Sequence, residues 1–317
     1  QCGQKVYFEN DKCLQCQSAL GFLAQQQTVA TLQPAEIAGQ YRILGDRDGR
    51  IVTYCANAAH GVCNWLTPST DASTFCEACL LNRTIPNLAE PGSLAAWRDL
   101  EQAKKRLVYS LLRFDLPFNQ PVNGKGPIAF DFVRNAMTGH LDGLITIDIV
   151  EADAVERERQ RQQFGEPYRS LLGHLRHESG HFYWMLLVEA AGRLDDFRAL
   201  FGDEQQDYAA ALARHHAEGP PPDWAERHVS AYASAHPWED WAETWALYLH
   251  IVDSIDTADA EGVEPPSVDG AVRVTSVQYD VYRDGSFQML TARWVPLTIA
   301  MNSLGRSLGY TDFYPFI

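Results

Sequence analysis

The sequence predicts an α+β protein in which a small cysteine-rich unit precedes a mainly helical one. Three observations carry this. All seven cysteines fall before residue 80. A proline-free apolar stretch from 168 to 188 carries His177-Glu178-Ser179-Gly180-His181. Two short runs rich in β-branched and apolar residues, 128–133 and 144–150, lie between these regions. A length of 317 residues suffices for two units, expected at 1–85 and 86–317.

Cysteine spacing governs the first unit. Cys13-Leu14-Gln15-Cys16 and Cys76-Glu77-Ala78-Cys79 each place two thiolates on a tight knuckle, two corners of a zinc tetrahedron. Cys55, Cys63, Cys76 and Cys79 make one complete set of four. Cys2, Cys13 and Cys16 make a second set of three, whose fourth ligand would lie upstream of Gln1. The alternative grouping joins the two knuckles and leaves Cys2, Cys55 and Cys63 over. Two local sites cost less loop-closure entropy than one distant pairing. A closed four-cysteine site has no open position, so its role is structural and its binding energy is folding energy. His60 reads as a loop residue. C-x-x-C usage also favours thiols in a reducing compartment over disulfides, so a cytoplasmic protein is expected.

The segment 86–91, bounded by two prolines, reads as a linker. Ser93 then caps a helix to about residue 112, with Leu94, Trp97, Leu100, Leu107 and Leu111 at helical spacing. A loop over 117–126 separates it from the strands at 128–133 and 144–150, and the polar run 151–163 leads into the motif helix. Further helices are expected at 193–201, 206–218, 223–234 and 237–258, with Gly219-Pro220-Pro221-Pro222 as a break.

On a helix, His177 and His181 are offset by about 40° and leave the same face. Two imidazoles aimed at one point suit Zn2+, and Glu178 between them reaches a water held there. The pattern implies a zinc hydrolase, most simply of peptides. Gly180 costs about 1 kcal/mol inside a helix, so a close neighbour, backbone or substrate, is expected beside it. His174 is not read as a ligand, because it lies almost a turn away. A catalytic zinc needs a third protein ligand and an open position. His236-Pro237-Trp238-Glu239-Asp240-Trp241-Ala242-Glu243 supplies the candidates. Pro237 suits a first helical turn, and Glu239 and Glu243 share a face. One acid binds metal while the other accepts from a ligating imidazole, and Asp240 is the competing ligand.

Glu239-Asp240-Trp241-Ala242-Glu243 following His177–His181 resembles the E-x-x-A-E arrangement of gluzincin metallopeptidases of the lethal-factor type. That resemblance implies Glu239 as third ligand and Glu243 as support for a histidine. It also implies Tyr232, seven residues before Glu239, as a hydroxyl facing the scissile carbonyl. Over its whole length the chain resembles the bacterial zinc-binding metallopeptidase family with an N-terminal zinc ribbon. The resemblance runs through Cys2-Gly3-Gln4, Phe8-Glu9-Asn10, Cys63-Asn64-Trp65-Leu66, Leu81-Asn82-Arg83-Thr84-Ile85-Pro86, Gly173 to Glu178, His236 to Glu243 and Asp312 to Phe316. It implies a zincin-like catalytic domain behind a rubredoxin-like ribbon, with one catalytic and one or two structural Zn2+. That family carries a further cysteine ahead of Cys2, which this chain lacks.

A net charge of −15 argues against a nucleic-acid partner, since phosphate binding rests on clustered Lys and Arg. No apolar run approaches membrane-spanning length, and no charged-then-apolar leader opens the chain. The expected partner is a peptide or protein substrate, with the strand around 144–150 as an edge to which an extended peptide adds. Two rival classes stand beside this: a non-catalytic zinc-ribbon scaffold with a zincin-like domain, and a zinc amidase acting on non-peptide amides. Deformylases share H-E-x-x-H but take cysteine as third ligand, and here every cysteine sits in ribbon spacing.

Overall fold

A computed structural model describes residues 2–122, 124–164, 166–263 and 280–315. The chain divides into two compact units, Gln1–Arg157 and Glu158–Ile317.

The first unit holds two sheets. Strands β1 (Ala19–Leu23), β2 (Thr28–Pro34), β3 (Gln40–Ile43), β4 (Ile51–Tyr54) and β5 (Leu66–Pro68) form an antiparallel meander in chain order. Alternation along β2 and β4 turns Ala30, Leu32 and Val52 onto Leu66, with Tyr41 and Tyr54 packed beside them. A bridge between Phe22 and Trp65 links the outer strands. A Cβ on Gly21 would lie 2.6 Å from the Leu66 side chain, so glycine lets β1 and β5 approach. α1 (Glu77–Leu80) starts at the second cysteine knuckle.

The second sheet has the order β6-β7-β9-β8, from β6 (Asn82–Thr84), β7 (Ala129–Val133), β8 (Gly139–Leu141) and β9 (Leu144–Asp148). This corrects the peptide-edge expectation for 144–150. β9 pairs with β7 on one side and β8 on the other, so its backbone groups are already used. The expected strand also ends early, because the Asp148 side chain accepts from Val150 N at 3.0 Å and starts a 3-10 turn at Ile149–Ala152.

α2 (Ser93–Arg113) closes the unit and matches the expected bounds to within a residue, but Ser93 is its first residue rather than its cap, and Gly92, in the left-handed region, precedes it without a side-chain cap. Its buried face is not purely apolar. Glu101 and Lys104 are both fully buried, with Lys104 Nζ 2.6 Å from Glu101 Oε1. Trp97 Nε1 and Asn82 Nδ2 donate to Glu101 Oε2 at 3.2 and 3.0 Å, and Lys104 lies over the Phe130 and Phe132 rings. A buried ion pair is costly to break from one side, since the remaining charge keeps its desolvation penalty.

The second unit is helical. α3 (Ala154–Phe164) runs across the division between the units. α4 (Leu171–Trp184) carries the histidine motif, α5 (Leu194–Phe201) and α6 (Tyr208–Glu218) follow, and α7 (Pro237–Glu261) is the longest helix. α8 (Val281–Asp284) and α9 (Phe287–Ser307) complete it. Ser170 Oγ caps α4 by accepting from Gly173 N at 3.0 Å. His236 Nδ1 accepts from Trp238 N at 3.1 Å and caps α7, with Pro237 in its first turn. The helix expected at 223–234 is absent. Two 3-10 turns, Trp224–Glu226 and Tyr232–Ala235, replace it, because Ser230 Oγ leaves the helical pattern to accept from Ala233 N and donate to Glu243. The C-terminal tail packs on the body. Asn302 bonds both the N–H and the carbonyl of Tyr314, whose ring sits against Tyr168, His250 and Trp294. Phe316, within the family resemblance, lies outside the described residues.

α4 packs on α7 at Gly180. A Cβ there would stand 3.0 Å from Ala242 Cα and 3.2 Å from Trp245 Cβ, so the close neighbour expected of Gly180 is the α7 backbone. Trp241 Nε1 donates to the Gly180 carbonyl at 2.8 Å, and Trp245 Nε1 to Ser179 Oγ at 3.1 Å.

Two substitutions test this packing. Gly180→Ala is expected to cost about 1 kcal/mol or more in denaturant unfolding, the overpacking outweighing the gain in helix propensity. Lys104→Met is expected to cost roughly 3–5 kcal/mol by the same measurement, and less when combined with Glu101→Gln.

Candidate metal centre

The juxtaposition of α4 and α7 converts two sequence motifs into one site. His177, His181 and Glu239 offer ligand atoms that all lie within 4.8 Å of one another. His177 Nε2 is 3.0 Å from Glu239 Oε2, and His181 Nε2 is 3.7 Å from Glu239 Oε1. A tetrahedral Zn2+ with bonds of about 2.05 Å sets ligand atoms about 3.3 Å apart, a value these distances bracket. Glu239 is buried, yet its Oε2 makes no hydrogen bond of acceptable geometry. On the far side of the ring, His177 Nδ1 lies 2.7 Å from Glu243 Oε1. A neutral His177 donating from Nδ1 to Glu243 therefore turns a bare Nε2 toward a bare carboxylate oxygen. Two lone pairs at 3.0 Å call for a cation between them, a proton in the free protein or a metal when bound. The donor set fits zinc.

The electrostatics agree. Burial opposes a charge on His177, but the Glu239 and Glu243 carboxylates facing its two nitrogens hold the ring protonated well above the ordinary histidine range. Burial likewise opposes ionisation of Glu239, and His177 and His181 outweigh it and pull that carboxyl down to about 2.

Supporting groups surround the centre. Ser230 Oγ donates to Glu243 Oε2 at 2.7 Å, so both oxygens of this carboxylate are engaged. The Trp238 ring lies 4.1 Å from that of His181, fixing its plane. Tyr232 stands at the start of its 3-10 turn, with its ring 6.0 Å from His177. Burial and then the Glu239 charge push the Tyr232 phenol far above its ordinary range, so it is a neutral donor. Glu178 is partly exposed on the same helix, and its charge acts on both Tyr232 and Tyr208.

Asp240, the competing third ligand, is directed elsewhere and sits 2.9 Å from His228 Nδ1. His250 is not a ligand; it packs behind α4, bonded to Arg176, which also pairs with Asp253. His236 serves as a cap. Sequence reading missed two groups. Ser230 and Tyr208, whose hydroxyl donates to Glu239 Oε1 at 2.6 Å, belong to no local motif, and only the folded path brings them in.

In the first unit the cysteines gather in two groups. Cys55, Cys63, Cys76 and Cys79 are all buried with their sulfurs within 4.8 Å of each other, and Cys63 and Cys76 Sγ are 3.8 Å apart. Zn–S bonds of about 2.3 Å set sulfurs about 3.8 Å apart in a tetrahedron, so this set fits a closed zinc site. Cys79 Sγ also lies 3.5 Å from Glu101 Oε1. Cys2, Cys13 and Cys16 form the second group, nearer the surface, with Cys2 and Cys13 Sγ 3.7 Å apart. None of the seven forms a disulfide.

Comparison with known proteins gives the family. Residues 93–317 match the model for the family described as "Putative zinc-binding metallo-peptidase", and residues 1–90 match a zinc-ribbon domain. The chain is also 38% identical over 325 residues to uncharacterized proteins of Mycobacterium bovis and Mycobacterium tuberculosis, covering 100% of this chain and 88% of each relative. The chain therefore belongs to this zinc-binding metallopeptidase family, with an N-terminal zinc ribbon. No solved structure matches it significantly. No helix among the described residues is long and apolar enough to cross a membrane.

Zinc requires neutral imidazoles, so loading the centre must displace the proton that His177 holds. Apparent zinc affinity at this centre is expected to rise about tenfold per pH unit through neutrality, one proton being released per metal bound. Competitive chelator titrations at several pH values measure that slope.

Proposed function

We propose that the protein is a zinc-dependent peptidase of gluzincin type, with Glu178 as general base. The observation that carries this reading is the convergence of His177, His181 and Glu239, with Glu178 on the same helix and the Tyr232 phenol beside them.

His177, His181 and Glu239 would hold the zinc, which would supply a Lewis acid for water and for the carbonyl. The remaining work falls to the chain. The Glu178 carboxylate takes a proton from the attacking water and passes it to the nitrogen of the leaving amine. The Tyr232 hydroxyl, kept neutral by burial and by the carboxylates around it, donates to the carbonyl oxygen as negative charge develops there. Glu243 accepts from His177 Nδ1, which fixes the tautomer and turns Nε2 toward Glu239. Ser230 in turn holds Glu243. The substrate is a peptide or protein chain. Seven cysteines free of disulfides fit action in the reducing cytoplasm. The four-cysteine set, and the Cys2 group with a further ligand, would hold structural zinc.

Glu178→Gln is expected to keep the zinc content of the wild type and lose peptide cleavage by at least about 100-fold, the usual contribution of a general base. Elemental analysis and a mixed peptide library read the two quantities. Cleavage that persists in this variant would refute the assignment, and full zinc loading with no cleavage by the wild type would favour the scaffold reading.

A further inference from the structure

Tyr208 is not used by the chemistry above. It opens α6, where the Asp207 side chain accepts from Ala210 N at 3.0 Å and fixes the start of the helix. Its ring packs edge-on against His236 and Trp238, with centroids 5.2 and 5.9 Å away. Both belong to the capped first turn of α7, the turn that carries Glu239. Along the same face of α6, Ala211 is buried and the His215 ring lies 5.9 Å from that of Tyr232. Residues 208, 211 and 215 thus form one stripe laid over the centre.

The two oxygens of Glu239 have different surroundings. Oε2 faces His177 Nε2 at 3.0 Å and lacks a hydrogen bond. Oε1 accepts from the Tyr208 hydroxyl at 2.6 Å and stands 3.7 Å from His181 Nε2. A carboxylate with both oxygens free rotates and competes for two coordination positions, whereas one oxygen tied to a donor leaves a single fixed ligand atom. The geometry points to Tyr208 as a positioning residue of the metal centre: its hydroxyl holds Oε1 so that Glu239 presents Oε2 alone and a position stays open for chemistry. Tyr208 then serves the metal and Tyr232 the substrate, a division between two neighbouring phenols that no motif marks. This rests on reading His177, His181 and Glu239 as the ligands.

The test compares Tyr208→Phe with Tyr232→Phe in the full chain, since phenylalanine keeps each ring contact and removes only the hydroxyl. Co2+ replaces zinc. Thiolate sites give sulfur-to-metal charge-transfer bands and a histidine–carboxylate site does not, so the visible bands lost in Glu239→Ala report this centre. Tyr208→Phe is expected to lower Co2+ affinity at the centre by about 10- to 100-fold in chelator competition and to shift its visible bands. Tyr232→Phe is expected to leave both at wild-type values, and the thiolate bands and the unfolding midpoint of the metal-free protein stay constant in both variants. Wild-type affinity and bands in Tyr208→Phe, or equal losses in the two variants, would overturn the proposal. Visible bands indifferent to Glu239→Ala would instead refute the metal-centre reading on which it stands.

Discussion

The contact between α4 and α7 at Gly180 is the constraint on which the metal centre depends. Two histidines on one helix define only a direction, and the third donor must come from another element at the right depth. The absent side chain at Gly180 lets the Ala242 backbone close in, and two tryptophan N–H groups stitch the helices together at that level. Glu239 and Glu243 then arrive on opposite sides of the His177 ring. Any displacement of α7 moves both carboxylates at once, so Glu239 and Glu243 share one mechanical origin.

Charge around this contact is sorted by face. Toward the centre stand carboxylates whose burial is offset by imidazoles and hydroxyls. On the reverse of α4, the buried Arg176 pairs with Asp253, whose other oxygen accepts from Tyr282 at 2.6 Å. Burial, reinforced by the Arg176 charge, holds His250 neutral there, well below the ordinary histidine range. One side of the helix thus needs a cation, and the other already has one. An unpaired charge at this depth would cost several kcal/mol, which accounts for the density of polar partners on both sides.

The first unit solves a different problem. Its strands are short, and its four buried cysteines gather as a closed zinc site would, where binding energy would add to the burial of Trp65, Phe22 and their neighbours. Beside this set Cys79 Sγ meets Glu101, whose buried carboxylate is balanced by the buried Lys104.

Much of the site was legible in the sequence because it is written in helical spacing. The offset of His177 and His181, the shared face of Glu239 and Glu243, the proline that starts α7 and the knuckles of the first unit are local patterns, and local patterns survive without knowledge of the fold. The helix α2 was legible for the same reason. Reading failed where long-range pairing overrode local preference. Ser230 gave up a helix to hold Glu243. The strand 144–150 looked like an edge because nothing local reveals that β8 covers it. Tyr208 precedes Glu239 by 31 residues and reaches it only because α6 folds back over the first turn of α7. The sequence by itself determined the kinds of ligand and the helices that bear them. The resemblance had already named Glu239 as the acid that meets the histidines; the tertiary structure alone decided which hydroxyls hold the two carboxylates, because that depends on how distant segments pack.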